Sequence, residues 1–381
     1  MHRTLSICAV AFFAASAQAQ SANGARRAAG DSVARPRPTI GAVAEFVADL
    51  STYPSALADS ARFGIRQVEF ALQAPIDARL RADLFVTLDE LHRIALGEEA
   101  FITAASVPVV GTLRAGRFLL PVGLANTVHL HDLPTIEQPY IVQKFLAPRG
   151  LAGTGLTANR AFAPFGFRQE LTVSWLDRFG ADDSLRTPER ASRYIDGMGY
   201  AARLRNAWHF TPASEFELSA SGITGKRPTS TGFTDASGVN AVNARQTLVA
   251  ADFAWTWTPL ALDRRSVLLQ GEFMRQVNDK NWLVNPGAAD APKIRDYEGW
   301  YLLARWQLGA TLFAGARWDR MQDPQRAGAQ LSAGSGILEW RPGTQTRFLA
   351  SYERRRADGA NALDRVLVEA SFAVGAHGAR P

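Results

Sequence analysis

The feature that most constrains the fold of this chain is a repeated alternation of apolar and polar residues with a period of two. In residues 246–258, one face carries Thr247, Val249, Ala251, Phe253, Trp255 and Trp257. Residues 297–308 and 364–374 alternate in the same way. Because successive side chains of a β-strand point to opposite faces, the pattern predicts strands with one apolar and one polar face. No long stretch has a helical period. The sequence also has no run of 18 apolar residues, which is the length that would predict a membrane helix.

The predicted strands are too long for an ordinary soluble sheet. Residues 246–258 make 13 alternating positions, whereas strands of soluble domains average about 5–6 residues. About 9–11 tilted residues are needed to cross an outer membrane. Tryptophans such as Trp208, Trp255 and Trp340 lie near the ends of the segments, where aromatic girdles meet the membrane interfaces. Length and aromatic placement therefore favour transmembrane strands.

The connections between the predicted strands alternate between long and short. The long ones are 179–193, 226–245, 278–296, 322–330 and 356–363, and the short ones are 211–214, 259–263, 309–310 and 341–344. A transmembrane barrel has short periplasmic turns and longer external loops. Ten strands fit between 166 and 374, and six more are predicted at 40–50, 64–74, 80–89, 93–105, 111–120 and 150–158. The predicted fold is all-β, a transmembrane antiparallel β-barrel of about 16 strands over residues 40–375, with no separate plug domain.

The two ends of the chain are predicted to lie outside the folded barrel. Residues 1–19 predict a cleaved signal peptide, with Arg3, an apolar run and the small-x-small site Ala17-Gln18-Ala19. We expect residues 20–39 to be a flexible periplasmic segment and residues 376–381 a C-terminal tail. Cys8 is the only cysteine, so the mature chain has neither disulfides nor thiolate zinc sites. The predicted location is the bacterial outer membrane, with its lipid as a partner.

Charge excludes one class of partner and leaves the character of the lumen open. The formal net charge is +6 without a concentrated basic block, so no nucleic-acid binding is predicted. The polar faces of the clear strands carry nine basic residues, Arg81, Arg168, Arg203, Arg205, Arg305, Arg317, Arg347, Arg355 and Arg365. They also carry nine acidic residues, Asp83, Glu170, Glu217, Asp252, Glu272, Asp319, Glu339, Glu353 and Glu369. Two interpretations remain open, namely facing ladders that select ions or mutual ion pairs that stiffen the wall.

Several motifs resemble a family of bacterial outer-membrane porin-like proteins. They are Glu98-Glu99-Ala100-Phe101, Ala115-Gly116-Arg117-Phe118, His129-x-His131-Asp132 and the closing FAVGAHGARP. The region that contains the first three motifs is similar to phosphate-selective porins and to proteins labelled zinc-regulated TonB-dependent outer-membrane receptors. The resemblance implies an outer-membrane barrel through which solutes pass.

Residues 121–149 form the longest predicted connection, and they hold most of the candidate site residues. Its proline, aromatic and charged content predicts a packed constriction loop inside the barrel. His129, His131 and Asp132 are candidate zinc ligands, with His92 as a further ligand. In the alternative interpretation they form hydrogen bonds to the barrel wall. The candidate pore residues are Arg114, Arg117, Lys144, Arg149, Arg305 and Arg317.

Three functions are compatible with this sequence. The first is a porin-like channel for passive diffusion of small polar or anionic solutes, without a cofactor, which could assemble as a homo-oligomer. The second is a receptor-like barrel that binds or imports a metal or metal complex through the loop of His129 and His131. The third is an outer-membrane enzyme, for which no Ser–His spacing or phosphate-binding glycine loop gives support.

Overall fold

The computed structural model describes residues 37–57, 60–89, 95–147, 149–179, 195–226, 245–259, 265–279, 295–323 and 328–375. Sixteen antiparallel strands form one closed barrel. The strands are β1 (Thr39–Asp49), β2 (Phe63–Pro75), β3 (Leu80–Asp89), β4 (Ala95–Val107), β5 (Gly111–Leu119), β6 (Ala152–Phe162), β7 (Arg168–Phe179), β8 (Ile195–Thr211), β9 (Ser214–Lys226), β10 (Arg245–Trp257), β11 (Val267–Asp279), β12 (Arg295–Gln307), β13 (Leu312–Gln322), β14 (Gln330–Trp340), β15 (Thr346–Ala357) and β16 (Leu363–Gly375).

Pairing of the first strand with the last closes the barrel. β1 pairs with β16 in a continuous register from Gly41↔Gly375 to Asp49↔Leu367. Each other strand pairs with its neighbours in sequence. The all-β fold, the antiparallel arrangement and the number of sixteen strands are confirmed, and most predicted strand ends lie within a few residues of the observed ones.

Burial alternates along each strand and reverses the pattern of a soluble protein. Large apolar side chains such as Val249, Leu302 and Leu338 point outward and are exposed. Carboxylates such as Asp319 and Glu369 point inward and are buried. Exposed tryptophans also lie on the outer face, among them Trp175, Trp300, Trp306, Trp318 and Trp340. An apolar outer belt with aromatic residues is the surface that a barrel presents to lipid.

The connections differ in length on the two rims of the barrel. One rim carries residues 50–62, 90–94, 120–151, 180–194, 227–244, 280–294, 323–329 and 358–362. The other carries the connections 76–79, 108–110, 163–167, 212–213, 258–266, 308–311 and 341–345, which are shorter on average, together with the first residue of β1 and the last residue of β16. The long-loop rim is therefore extracellular and the short-turn rim periplasmic. The turn at 258–266 is longer than the predicted 259–263.

Three predicted segments lie wholly or mainly outside the described residues. They are the signal peptide (1–19), the periplasmic segment (20–39, described only from 37 onward) and the C-terminal tail (376–381). Within the described residues no plug domain accompanies the barrel. No described helix is long and apolar enough to cross a membrane.

The outward register predicts how a charge affects stability at two depths. Leu302 lies near the middle of β12 and faces outward, whereas Leu308 lies one residue past the end of the same strand. We expect Leu302→Arg to reduce the free energy of unfolding by about 2–4 kcal/mol and Leu308→Arg by about 0–1 kcal/mol. Guanidinium unfolding in lipid vesicles measures both. Equal losses would contradict the assigned depth.

Candidate functional site

The connection between β5 and β6 folds into the lumen, and we call residues 120–151 the inner loop. It contains short 3₁₀ segments at Ala125–Thr127 and Leu130–Asp132 and a π-helical turn at Val142–Leu146. Leu120, Val122 and Ile141 are fully buried although they belong to a connection. The predicted constriction loop at 121–149 therefore lies inside the barrel.

Apolar contacts seat the helical turn of the inner loop against β12. The rings of Phe145 and Tyr297 pack with centroids 4.6 Å apart. At Gly299, an added Cβ would lie 2.8 Å from Ile141 Cγ2 and 2.5 Å from Met321 Cβ. Glycine at this inward position leaves the space that the loop occupies.

The tip of the inner loop binds charged side chains on the strands opposite its origin. Both oxygens of Glu137 accept hydrogen bonds from the Arg365 guanidinium, at 2.7 and 2.8 Å. Tyr140 donates its hydroxyl to Glu353 at 2.5 Å and its backbone N–H to Asp319 at 3.0 Å. Bidentate and charge-assisted hydrogen bonds are among the stronger ones in proteins, so the tip is held firmly against β13, β15 and β16.

Other wall side chains bind the backbone of the inner loop. Arg347 donates to the carbonyls of His131 and Leu133 at 2.8 and 2.5 Å, and Arg66 donates to that of Ile136 at 2.5 Å. On another part of the wall, Arg203 donates to the carbonyl of Gly123, and Ser221 accepts from its N–H. An irregular backbone at membrane depth is tolerated only where protein groups or water bind its N–H and C=O groups. The loop crosses the lumen with partners on several sides.

The two predicted histidine ligands lie in a buried cluster with carboxylates. His129 contacts Glu69 through Nδ1 at 2.8 Å and Glu99 through Nε2 at 3.2 Å. His131 lies 3.5 Å from Glu69 through Nδ1 and 3.4 Å from Asp132 through Nε2. One ligand atom each from Glu69, His129 and His131 lie within 4.8 Å of one another.

The predicted third ligands differ from the residues that the structure brings together. Asp132 contacts the nitrogen of His131 that points away from Glu69, and its side chain is 46% exposed. His92 lies outside the described residues. Sequence reasoning missed Glu69, which lies on the inward face of β2. The signal that could have found it is the alternation of Gln67, Glu69 and Ala71 on one face.

The carboxylates around His131 set its charge. Burial alone would lower the pKa of His131, but the negative charges of Asp132 and Glu69 outweigh burial and raise the pKa to about 10. His131 is therefore a cation at neutral pH. Its contacts agree with the interpretation in which the histidines bind the surrounding wall.

Most of the predicted luminal charges are paired with each other. The pairs include Arg81–Asp83, Arg168–Glu170, Arg203–Asp252, Arg205–Glu217, Arg305–Glu339, Arg317–Asp319 and Arg365–Glu353. Of the two open interpretations, the structure favours mutual ion pairs. The first strands add Glu45 and Arg66, 3.0 Å apart, which the sequence inventory did not include.

The candidate pore residues occupy different environments. Arg114 faces the lumen with its guanidinium carbon 4.1 Å from the centre of the Phe101 ring. Arg305 pairs with a wall carboxylate at 2.7 Å, and Arg317 donates to Thr135 of the inner loop at 3.1 Å. Lys144 is half-buried in the helical turn.

Arg149 and Arg117 complete the set. Arg149 donates to Gln67 at 2.6 Å. Arg117 stands directly opposite Ala100 and Thr154, which are both exposed on the outer face. The prediction that Arg117 lines the pore is therefore wrong, because directly opposed residues in a sheet share a face.

A large cavity opens on the periplasmic side of the inner loop. Its volume is ≈ 840 Å³. Its wall includes Arg81, Arg114 and Arg168, and the inner loop contributes Leu124 and Leu133. A small cavity of ≈ 20 Å³ lies between the loop tip and the wall beside Arg365, which is space for about one water molecule. The loop thus occupies part of the lumen and packs closely against the wall at its tip.

No protein-family model matches the chain, and no curated protein matches it in sequence. Solved structures do match. The Salmonella typhi OmpF complex with daunomycin has a TM-score of 0.57 at 14% identity and covers 89% of this chain and 97% of its own. The fold is that of a porin. The outer membrane channel DcaP of Acinetobacter baumannii has a TM-score of 0.55 at 9% identity, covering 89% of this chain and 96% of its own.

A further match is the trimer form of OmpT, an outer membrane protein of Vibrio cholerae. Its TM-score is 0.52 at 10% identity, and the alignment covers 89% of this chain and the whole of the other. The predicted porin-like barrel is confirmed at the level of the fold. The predicted outer-membrane location agrees with the apolar outer belt and with the descriptions of these barrels as outer-membrane proteins.

The contact between Glu137 and Arg365 predicts that acid loosens the inner loop. Burial would raise the pKa of Glu137, but hydrogen bonds and positive charge from Arg365, with the charges of Arg66 and Arg317, hold it below its usual value. The stabilisation is therefore present above about pH 4.3, the unfolded value, and is lost as the pH falls through the lower folded pKa. We expect single-channel conductance to rise in that acid range.

Glu137→Gln should reproduce the acid effect at neutral pH. A hydrogen bond to a charged group contributes about 1.5–3 kcal/mol, so the ratio of released to docked loop should rise about 10- to 100-fold. Glu215→Gln is the matched control, because Glu215 lies near the periplasmic rim at the start of β9. Equal conductance of the Glu137 variant and the wild type would show that this pair does not hold the loop.

Proposed function

We propose that the protein is an outer-membrane channel for passive diffusion of small polar or ionic solutes, and that the inner loop controls their passage. The observation that carries the proposal is the combination of an apolar outer wall, a polar lumen and a loop fixed across that lumen. A barrel of sixteen strands is wide enough for an aqueous channel. The loop crosses that lumen and is hydrogen-bonded to its wall at the tip.

The charges that line the large cavity on the periplasmic side of the inner loop support modest rather than strong ion selectivity. Its lining includes eight arginines and six carboxylates, counted among the lining residues, and several of these form pairs such as Arg81–Asp83. Paired charges contribute little net field to a passing ion. Because arginines outnumber carboxylates slightly, we propose that the channel prefers anionic solutes.

A homo-oligomer also belongs to the proposal. The matched OmpT barrel is described as a trimer form, and a closed barrel can pack against copies of itself through its outer wall. Crosslinking in lipid vesicles distinguishes a monomer from such an assembly.

Deleting residues 128–146 while keeping β5 and β6 tests the role of the inner loop. We expect single-channel conductance to increase several-fold, because conduction follows the width of the narrowest segment. A slightly shorter deletion within 227–244 is the control and should leave conductance unchanged. Heat-modifiable gel migration reports whether each barrel has assembled. Unchanged conductance in an assembled deletion barrel would remove the loop from the conduction path.

A second candidate function is metal binding, which the cluster of Glu69, His129 and His131 supports. Two imidazoles and one carboxylate are a known ligand set for Zn²⁺. All three side chains are buried, and their ligand atoms lie within 4.8 Å. A metal ion would have to displace the proton of His131 before it bound.

Calorimetric zinc titration separates the two candidates. If the metal function holds, the wild-type chain binds one Zn²⁺, and His129→Ala with His131→Ala or Glu69→Gln alone weakens binding at least tenfold. His209→Ala is the control, because His209 lies 64% exposed near the periplasmic end of β8. No zinc binding by the wild type would reject the metal function and leave the channel function intact.

A further inference from the structure

The outer face of the barrel carries a group of arginines near the extracellular ends of β13, β14 and β15. Arg320 of β13 stands directly opposite Ser332 of β14, which stands opposite Arg356 of β15. One row closer to the membrane centre, Gly334 lies opposite Arg354. We call Arg320, Ser332, Gly334, Arg354 and Arg356 the arginine groove.

Small residues form the floor of the arginine groove. Neighbouring strands lie about 4.8 Å apart, so Arg320 and Arg356 flank Ser332 at a separation of about 10 Å between their backbones. The Trp318 ring borders Gly334, where an added Cβ would lie 3.0 Å from a ring carbon. At Gly336, two residues further along the same face, an added Cβ would meet nothing within 4 Å. The floor therefore continues as an open strip toward the membrane centre.

The arginines of the groove have few acidic partners. Arg320 donates to the neutral side chain of Gln330 at 2.9 and 3.1 Å. Arg354 lies 3.6 Å from Asp364, with both side chains about half exposed. Arg356 is exposed, and no described carboxylate forms an ion pair with it.

Other acidic residues near this rim have separate partners or positions. Asp358 accepts the backbone N–H of Gln330 at 2.9 Å. Asp323 lies at the start of the connection to β14, where its backbone N–H donates to the carbonyl of Ala329. A second rim position shows the opposite balance, since Arg275 of β11 lies 3.5 Å from Asp296 and 3.9 Å from Glu298. The groove therefore has three arginines beside the carboxylates of Asp358 and Asp364, which leaves a small local excess of positive charge, whereas carboxylates outnumber arginines around Arg275.

The depth of the groove matches the head groups of the outer leaflet. Trp318 and Tyr352 are 50% and 48% exposed on the outer face. Trp318 lies one row below Arg320, and Tyr352 lies two rows below Arg356. Exposed Trp and Tyr side chains mark the interface between hydrocarbon and head groups. The guanidiniums of Arg320 and Arg356 thus lie at the level of lipid phosphates, which arginine binds through paired hydrogen bonds.

We propose that the arginine groove binds one anionic phospholipid of the outer leaflet. The phosphate is held by Arg320 and Arg356, with Arg354 contributing charge from the row below. One acyl chain lies along Gly334 and Gly336 beside the Trp318 ring. Charge complementarity and the small floor together select a lipid with a phosphate head group and an extended chain.

Native mass spectrometry of the folded chain in detergent tests the proposal, with phosphatidylglycerol as the anionic probe and phosphatidylcholine of equal chain length as the zwitterionic one. We expect one tightly retained phosphatidylglycerol. Arg320→Gln with Arg356→Gln should weaken its binding about thirtyfold, and Arg356→Gln alone about fivefold, because each basic residue near a membrane surface contributes a comparable factor. Arg275→Gln is the matched control and should change binding less than twofold.

Four outcomes would overturn the proposal. The first is equal phosphatidylglycerol binding by the wild type and both groove variants. The second is an equal loss in the Arg275→Gln control, which would indicate general surface charge. The third is displacement of the lipid by inorganic phosphate at similar concentration, which would assign the site to a soluble anion. Heat-modifiable migration confirms that each variant is folded, and a changed oligomeric mass in the groove variants would assign this face to a second copy of the chain.

Discussion

Backbone hydrogen bonding in the absence of water is the constraint on which this structure depends. A strand in hydrocarbon has no solvent partner for its N–H and C=O groups, so a membrane sheet must close. The pairing of β1 with β16 meets this requirement along the length of β1. Closure then divides every strand into a lipid face and a luminal face. The period of two in the sequence is the result of that division.

Closure also creates the electrostatic problem that the lumen solves. Its wall carries many carboxylates and guanidiniums at low exposure, and a buried charge without a partner is costly. Neighbouring strands supply partners for most of them, as with Arg305 and Glu339 at 2.7 Å. The inner loop supplies others, because Glu137 and the loop carbonyls bind Arg365 and Arg347. The same contacts that satisfy the wall charges hold the loop across the lumen.

The sequence predicted the barrel well because its signal is local. Alternation, strand length and connection length each depend on residues close in the chain, and together they predicted sixteen strands. The composition of residues 121–149, which is also local, predicted the loop inside the barrel. The partners of that loop are distant, such as Arg365 for Glu137, and no local pattern identifies them. The local alternation places Glu69 on the luminal face, but no local pattern shows that it contacts His129, which follows sixty residues later.

One error could have been avoided from the sequence. Arg114 and Arg117 are three positions apart on one strand, so a period of two places them on opposite faces. The structure places Arg114 in the lumen and Arg117 on the outer face. Only one of the two could line a pore.

The contacts of the inner loop have a consequence for the order of folding. Glu137 is separated from Arg365 by 228 residues, and the carbonyl of His131 is separated from Arg347 by 216. Such contacts form late, because closing a long chain segment must precede them. The loop can reach its final position only after the last strands have joined the sheet. During assembly the lumen of the barrel is therefore wider and contains more water than in the finished protein. Insertion of the inner loop is then the last step of folding.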